Sequence, residues 1–166
     1  MRKLALSDEI LMKVDKAARY IGGEVNSIMK DKNNVDIRFA MCFPDVYEIG
    51  MSNLGMMILY NMFNEREDVW AERVFSPWLD LDKIMREKNI PLFALESQEP
   101  VKDFDFLGIT LGYEMCYTNV LQVLDLSHIS LLARDREEDD PIVIGGGACA
   151  YNPEPIAEFF DMFYIG

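Results

Sequence analysis

Asp45, Tyr47 and Gly50 stand at the spacing Asp-x-Tyr-x-x-Gly, just after the apolar run Ile37–Phe43 and just before a helical pattern that starts near Asn53. A carboxylate two residues from a phenol can orient its hydroxyl. A glycine three residues further on lets the backbone pass close to a bound group. In an open α/β sheet, the loop from the first strand to the first helix is where ligands sit. Thr110 and Gly112 close a second apolar run, and Gly145, Gly146 and Gly147 close a third. These residue types suit holding a flat or elongated ligand against the main chain. They do not make a nucleophile with its base, and no Ser-His-Asp or paired-carboxylate constellation stands out. No residue is assigned as catalytic and none as a metal ligand. A neutral phenol, with a pKa of about 10, is a poor donor to a metal. The single histidine, His128, follows the third helical pattern and reads as a turn residue.

The elements that must position these loops follow from periodicity. Strands are expected over 36–43, 69–75, 104–111, 141–145 and 161–165, and helices near 53–65, 79–88, 115–126 and 154–160. Alternating strands and helices predict a parallel sheet with helices on both faces. Asn53 or Ser52 can cap the first of these helices, which carries Leu54, Met57, Ile58 and Met62 on one face. Pro155 suits a first helical turn, and Pro91–Leu95 can add a short extra strand. Residues 8–20 read as one helix stopped by Gly22-Gly23. The chain therefore divides into an N-terminal helical extension, 1–34, and an α/β domain, 35–166. The loops after the first, third and fourth strands then converge on one edge of the sheet.

Composition narrows the function classes. The 166 residues, 50% hydrophobic, suffice for one core. A formal net charge of −13 would repel phosphate backbones, so direct nucleic-acid binding is not expected. It suits solubility, or docking to a basic partner. No apolar run is long enough to span a membrane and no secretory signal opens the chain, so a cytoplasmic location is the default. Cys42, Cys116 and Cys149 fit neither a zinc site nor a cluster motif by spacing; Cys42 and Cys116 read as buried thiols, and Cys149 stands at the ligand edge.

The Asp45–Gly50 loop resembles the Asp-x-His-x-x-Gly loop of cobalamin-binding domains, with Tyr47 in the histidine position. Thr110 and Gly112 stand where that family has its Ser-x-Leu segment, and Gly145–Gly147 where it has its Gly-Gly loop. Together with Tyr20-Ile21-Gly22-Gly23-Glu24, Asn152-Pro153-Glu154-Pro155 and Phe160–Gly166, they make the chain similar to the cobalamin-binding-like domain in front of radical S-adenosylmethionine (radical SAM) enzymes. The similarity runs from about Arg19 to Gly166.

The resemblance implies a three-layer, doubly wound, flavodoxin-like sheet of strand order 2-1-3-4-5. It also implies a cofactor-binding set of Asp45, Tyr47, Gly50, Thr110, Gly112, Gly145, Gly146 and Gly147. In the family the histidine ligates cobalt from below and the aspartate orients it. With tyrosine there, cobalamin would bind without a lower protein ligand; Tyr47 would pack under the corrin, its hydroxyl on Asp45. The 4Fe-4S cluster and S-adenosylmethionine belong to a catalytic domain expected after residue 166, which is the partner this domain would face. Two alternatives stay open. A degenerate domain of this type would bind nothing small and organise protein contacts, and a large exposed apolar face would favour it. A free-standing receiver-like module would need clustered acids where Asp45 stands alone.

Overall fold

Five short runs rich in β-branched, aromatic and other apolar residues form the strands, and each reaches the sheet through a helical or 3-10 connection. The computed structural model describes residues 3–166. Its helices are α1 (Asp8–Leu11), α2 (Ala18–Ile21), α3 (Tyr47–Met51), α4 (Leu54–Asn64), α5 (Leu79–Lys88) and α6 (Tyr117–Leu126); its strands are β1 (Ile37–Phe43), β2 (Val69–Phe75), β3 (Phe106–Thr110), β4 (Ile142–Gly146) and β5 (Met162–Tyr164). The strands make one all-parallel sheet in the order β2-β1-β3-β4-β5. The flavodoxin-like α/β fold expected from the sequence is the fold observed. Among the described residues no helix is long and apolar enough to cross a membrane.

Alternation along the strands builds two cores. Ala40 and Cys42 of β1, Leu107 and Ile109 of β3 and Val143 of β4 face one side, where Leu81 and Met85 of α5 and Val120, Val123 and Leu124 of α6 pack on them. Met41 and Phe43 of β1 and Ala71 of β2 face the other side, under Met56 and Tyr60 of α4. Asn53 caps α4, its side chain accepting from the Met56 amide at 2.9 Å.

The N-terminal segment wraps the β2 edge. Leu6, Ile10 and Tyr20 enter the first core, and Ile28 packs on the second. Just after Ile28, Lys30 Nζ donates to the carbonyls of Asn64, Arg66 and Val69 at 3.0, 2.5 and 2.6 Å. Glu96 Oε2 accepts from the Arg73 amide at 2.7 Å, and the Leu95 amide donates to the Arg73 carbonyl at 2.8 Å. These groups occupy hydrogen-bonding positions that an edge strand otherwise leaves free.

Four local expectations are corrected. Residues 8–20 are not one helix: the chain turns at Lys16, with φ +54°, and α1 and α2 are separate short pieces. Pro91–Leu95 forms no sheet strand, only one antiparallel bridge between Phe93 and Pro100. Glu154–Phe159 is a 3-10 helix, with Pro155 in its first turn. The fourth correction concerns α4: of its expected apolar face Met57 packs on the second core, but Leu54, Ile58 and Met62 point outward. The buried stripe is Met56, Tyr60 and Asn64, four residues apart on the opposite face. Its polar members have partners: Asn64 exchanges both amide bonds with the Ala71 backbone, at 3.0 and 3.1 Å, and the Tyr60 hydroxyl accepts from the Ile28 amide at 2.7 Å. Hydropathy alone therefore picks the wrong side of this helix.

Candidate functional site

The carboxyl-terminal edge of the sheet brings three loops together. After β1, the chain tightens through the Asp45 amide, which donates to the Phe43 carbonyl at 2.8 Å, and Asp45 Oδ1 accepts from the Val46 amide at 2.7 Å. The other carboxylate oxygen accepts a short hydrogen bond from the Tyr113 hydroxyl, in the loop after β3. Asn119, at the start of α6, donates from Nδ2 to the Pro44 carbonyl at 2.9 Å. The loops after β3 and β4 are sewn to each other. Leu111 N donates to the Gly146 carbonyl at 2.6 Å, and Cys149 N donates to the Leu111 carbonyl at 3.0 Å.

The glycines of this edge divide by what a side chain would meet. Gly147 has φ +113°, and a Cβ there would lie 2.8 Å from the Leu111 carbonyl oxygen, so only glycine serves. At Gly112 and Gly146 a Cβ would meet nothing within 4 Å. Thr110 pairs in register with Gly146 and is half-buried. Gly112, Gly146 and Thr110 thus leave room for a ligand beside bare main chain. Gly145 is different: its Cβ position is 2.8 Å from the Phe163 ring, on the filled face of the sheet.

Tyr47 does not meet Asp45, which corrects that expectation. It opens α3, and its hydroxyl donates to Glu24 Oε1 at 3.0 Å. Its ring stands edge-on to Phe75 with centroids 5.5 Å apart. Burial, with the bond to Glu24, pushes its pKa up to about 12, so it stays a neutral phenol at physiological pH. Gly50 also belongs to this side, because a Cβ there would lie 2.2 Å from the Phe75 ring. Of the eight residues singled out in the sequence, Asp45, Thr110, Gly112, Gly146 and Gly147 share one edge, with Tyr113 added. Tyr47 and Gly50 turn toward β2 and the N-terminal segment.

That second cluster holds the charges that sequence reasoning missed. Arg73, in β2, has a side chain with no solvent exposure; its Nε donates to Glu96 Oε1 at 2.6 Å and its Nη2 to Glu24 Oε2 at 3.0 Å. Burial raises the Glu96 carboxyl above its ordinary range, against the pull of Arg73. The available signal was a Glu72-Arg73 pair inside an otherwise apolar strand. Glu48, next to Tyr47 in α3 but exposed, is held at a pKa of about 2 by Arg19, whose Nη2 lies 2.9 Å from Glu48 Oε1. A cavity of about 20 Å³ lies here, lined among others by Arg19, Tyr47, Arg73 and Ser76. Arg19 Nη1 and Ser76 Oγ are buried without a hydrogen-bond partner among the described residues, and the space suits about one water molecule.

Cys42 and Cys116 are buried and Cys149 half-buried, all as free thiols. Burial pushes the Cys42 and Cys116 thiols up, away from reactive thiolate. Among the described residues no group of three His, Cys, Asp or Glu side chains is placed to hold a metal ion. His128 is exposed at the end of α6 with φ +57°, a turn residue as read from the sequence.

Known proteins narrow the identity. An uncharacterized protein of Methanocaldococcus jannaschii is 28% identical over 130 residues, covering 76% of this chain and 23% of that protein. The chain thus spans less than a quarter of the length of the curated relative it matches. The family described as radical SAM proteins, N-terminal, matches residues 55–166. That stretch holds Thr110, Gly112 and Gly145–Gly147, and it starts just after the Asp45–Gly50 loop. Covering more than half of the sequence, the match shows that the chain belongs to the family of N-terminal regions of radical SAM proteins.

Proposed function

We propose that this region holds a cofactor or substrate for a radical SAM enzyme, and that the edge formed by Asp45, Thr110, Gly112, Gly146 and Gly147 takes cobalamin without a lower protein ligand. The observation that carries the reading is the open main chain at Gly112 and Gly146, where nothing stands within 4 Å of a Cβ position. A flat macrocycle with a long polar tail needs such bare backbone. Asp45 and Tyr113 would fix the loop beside it, and Thr110 would offer its hydroxyl to the tail. Cobalamin supplies alkyl-transfer chemistry when bound; the cluster and S-adenosylmethionine would belong to the radical SAM region of the whole protein. Tyr47 is neutral and engaged with Glu24, so it would not serve as a ligand to the metal. This domain by itself would bind and orient rather than catalyse.

A second reading has its own support. The tyrosine is tied into the fold, and Leu54, Ile58 and Met62 of α4 are 71%, 56% and 49% exposed. A domain of cobalamin type that only organises protein contacts would show both features.

Titration of the purified chain with hydroxocobalamin, followed by absorbance and calorimetry, separates the two. The cofactor reading expects saturable binding with a spectrum lacking a nitrogenous lower ligand. Tyr47→His is expected to add a histidine-ligated spectrum if position 47 can swing beneath the cobalt. No binding by either protein at millimolar cofactor would leave the contact-organising reading.

A further inference from the structure

The two faces of the sheet are covered unequally. α5, α6 and the 154–159 turn pack across one face. On the other, α4 lies over β1 and β2, and the strip formed by β3, β4 and β5 stays open. Phe106 and Ile144 are half-buried there, and Ile142, Met162 and Tyr164 are 43%, 51% and 71% exposed. All-parallel sheets are ordinarily covered on both faces, since both carry apolar side chains. Three strands about 4.8 Å apart make a strip roughly 10 Å wide, which is the diameter of one helix with its side chains.

The strip is shaped as a groove. Phe39 stacks on Phe106 at 5.8 Å and on Phe63 of α4 at 5.0 Å, joining floor to wall. Leu59, four residues before Phe63 and so on the same flank, is 41% exposed. At the amino-terminal end of the strands the floor residues Phe106 and Ile142 border a hollow lined by Asp36, Asp105, Glu138 and Asp139, with Lys102 its one basic residue among those described. The occupant must therefore be apolar along one side and basic at that end.

We propose that this groove docks a single amphipathic helix from the radical SAM region of the same protein, its Lys or Arg residues meeting the acidic end. The inference rests on the function proposed above. Two facts favour this occupant: the family is one of N-terminal regions of radical SAM proteins, and the Methanocaldococcus relative extends far beyond the 23% of its length that is matched. Strands of five residues are about 16 Å long, so roughly eleven helical residues would fill the groove.

Site-specific alkylation tests it. Ile142→Cys reports the groove and Leu79→Cys, at a position 71% exposed on α5, reports open surface. Each is treated with N-ethylmaleimide and read by peptide mass spectrometry, without cobalamin, in the 166-residue chain and in the longer protein carrying the radical SAM region. The expected result is measurable reactivity at both 142 and 79 in the short chain, and at least tenfold slowing at 142 alone in the longer protein. Equal rates at 142 in both proteins overturn the docking. Protection at 142 that grows with the concentration of the short chain overturns it in favour of a second copy. Absence of any radical SAM region in the coding sequence would instead sink the function proposed above, so the two failures are distinct.

Discussion

The guanidinium of Arg73 is closed off from solvent and held between Glu96 and Glu24, with the Tyr60 ring 4.8 Å from its central carbon. A buried pair adds little over a well-packed apolar replacement, but removing one partner strands the other charge. Glu96→Ala is therefore expected to cost about 3–5 kcal/mol, seen as a lower urea midpoint; a loss under about 1 kcal/mol would mean that water reaches Arg73. The same residue joins three parts of the chain, because Glu24 also accepts from Tyr47. Position 47 is thus coupled to the N-terminal segment rather than to Asp45. Arg38, in β1, plays a parallel part. It pairs with Glu72 at 2.6 Å and with Glu99 at 2.6 Å, and lies 4.0 Å from the Phe104 ring centroid. Neither cluster could be placed from sequence, since its members lie far apart along the chain.

At the scale of elements, two adjacent glycines, one ending β4 and one opening the loop after it, should respond differently. Gly147→Ala forces a side chain into φ +113° and against the Leu111 carbonyl, a cost of about 1–3 kcal/mol. Gly146→Ala enters open space and should change stability by less than about 0.5 kcal/mol. Thermal melts compare the two, and the proposed site adds a second readout: Gly146→Ala should weaken cobalamin binding while leaving the melt unchanged. The strands were legible because their apolar runs are bounded by polar or glycine-bearing turns, and β2 falls on 69–75 as the pattern predicts. Strand order was accessible only through resemblance, since periodicity carries no neighbour information. The outward apolar stripe of α4 was illegible for a physical reason. The buried side uses Tyr60 and Asn64, whose polar groups are satisfied by backbone that only the folded chain brings near. The edge of the site was readable as a set of glycines, but their separation into open and filled positions depends on Phe163 and Phe75.

For the whole molecule, the N-terminal segment is part of the body rather than an appendage. It buries Leu6, Ile10 and Tyr20 on one face of the sheet and places Ile28 on the other. Gln98 reinforces this, accepting from the Ala5 amide and donating to the Tyr20 carbonyl, both at 3.1 Å. The crossing from one face to the other passes Gly22, Gly23 and the fully exposed Val25. A protease given a cleavable bond beside Val25 would therefore nick the protein without dismantling it. Two fragments would separate in denaturing gel and travel as one particle on a native sizing column, the severed piece clamped to the sheet from both sides.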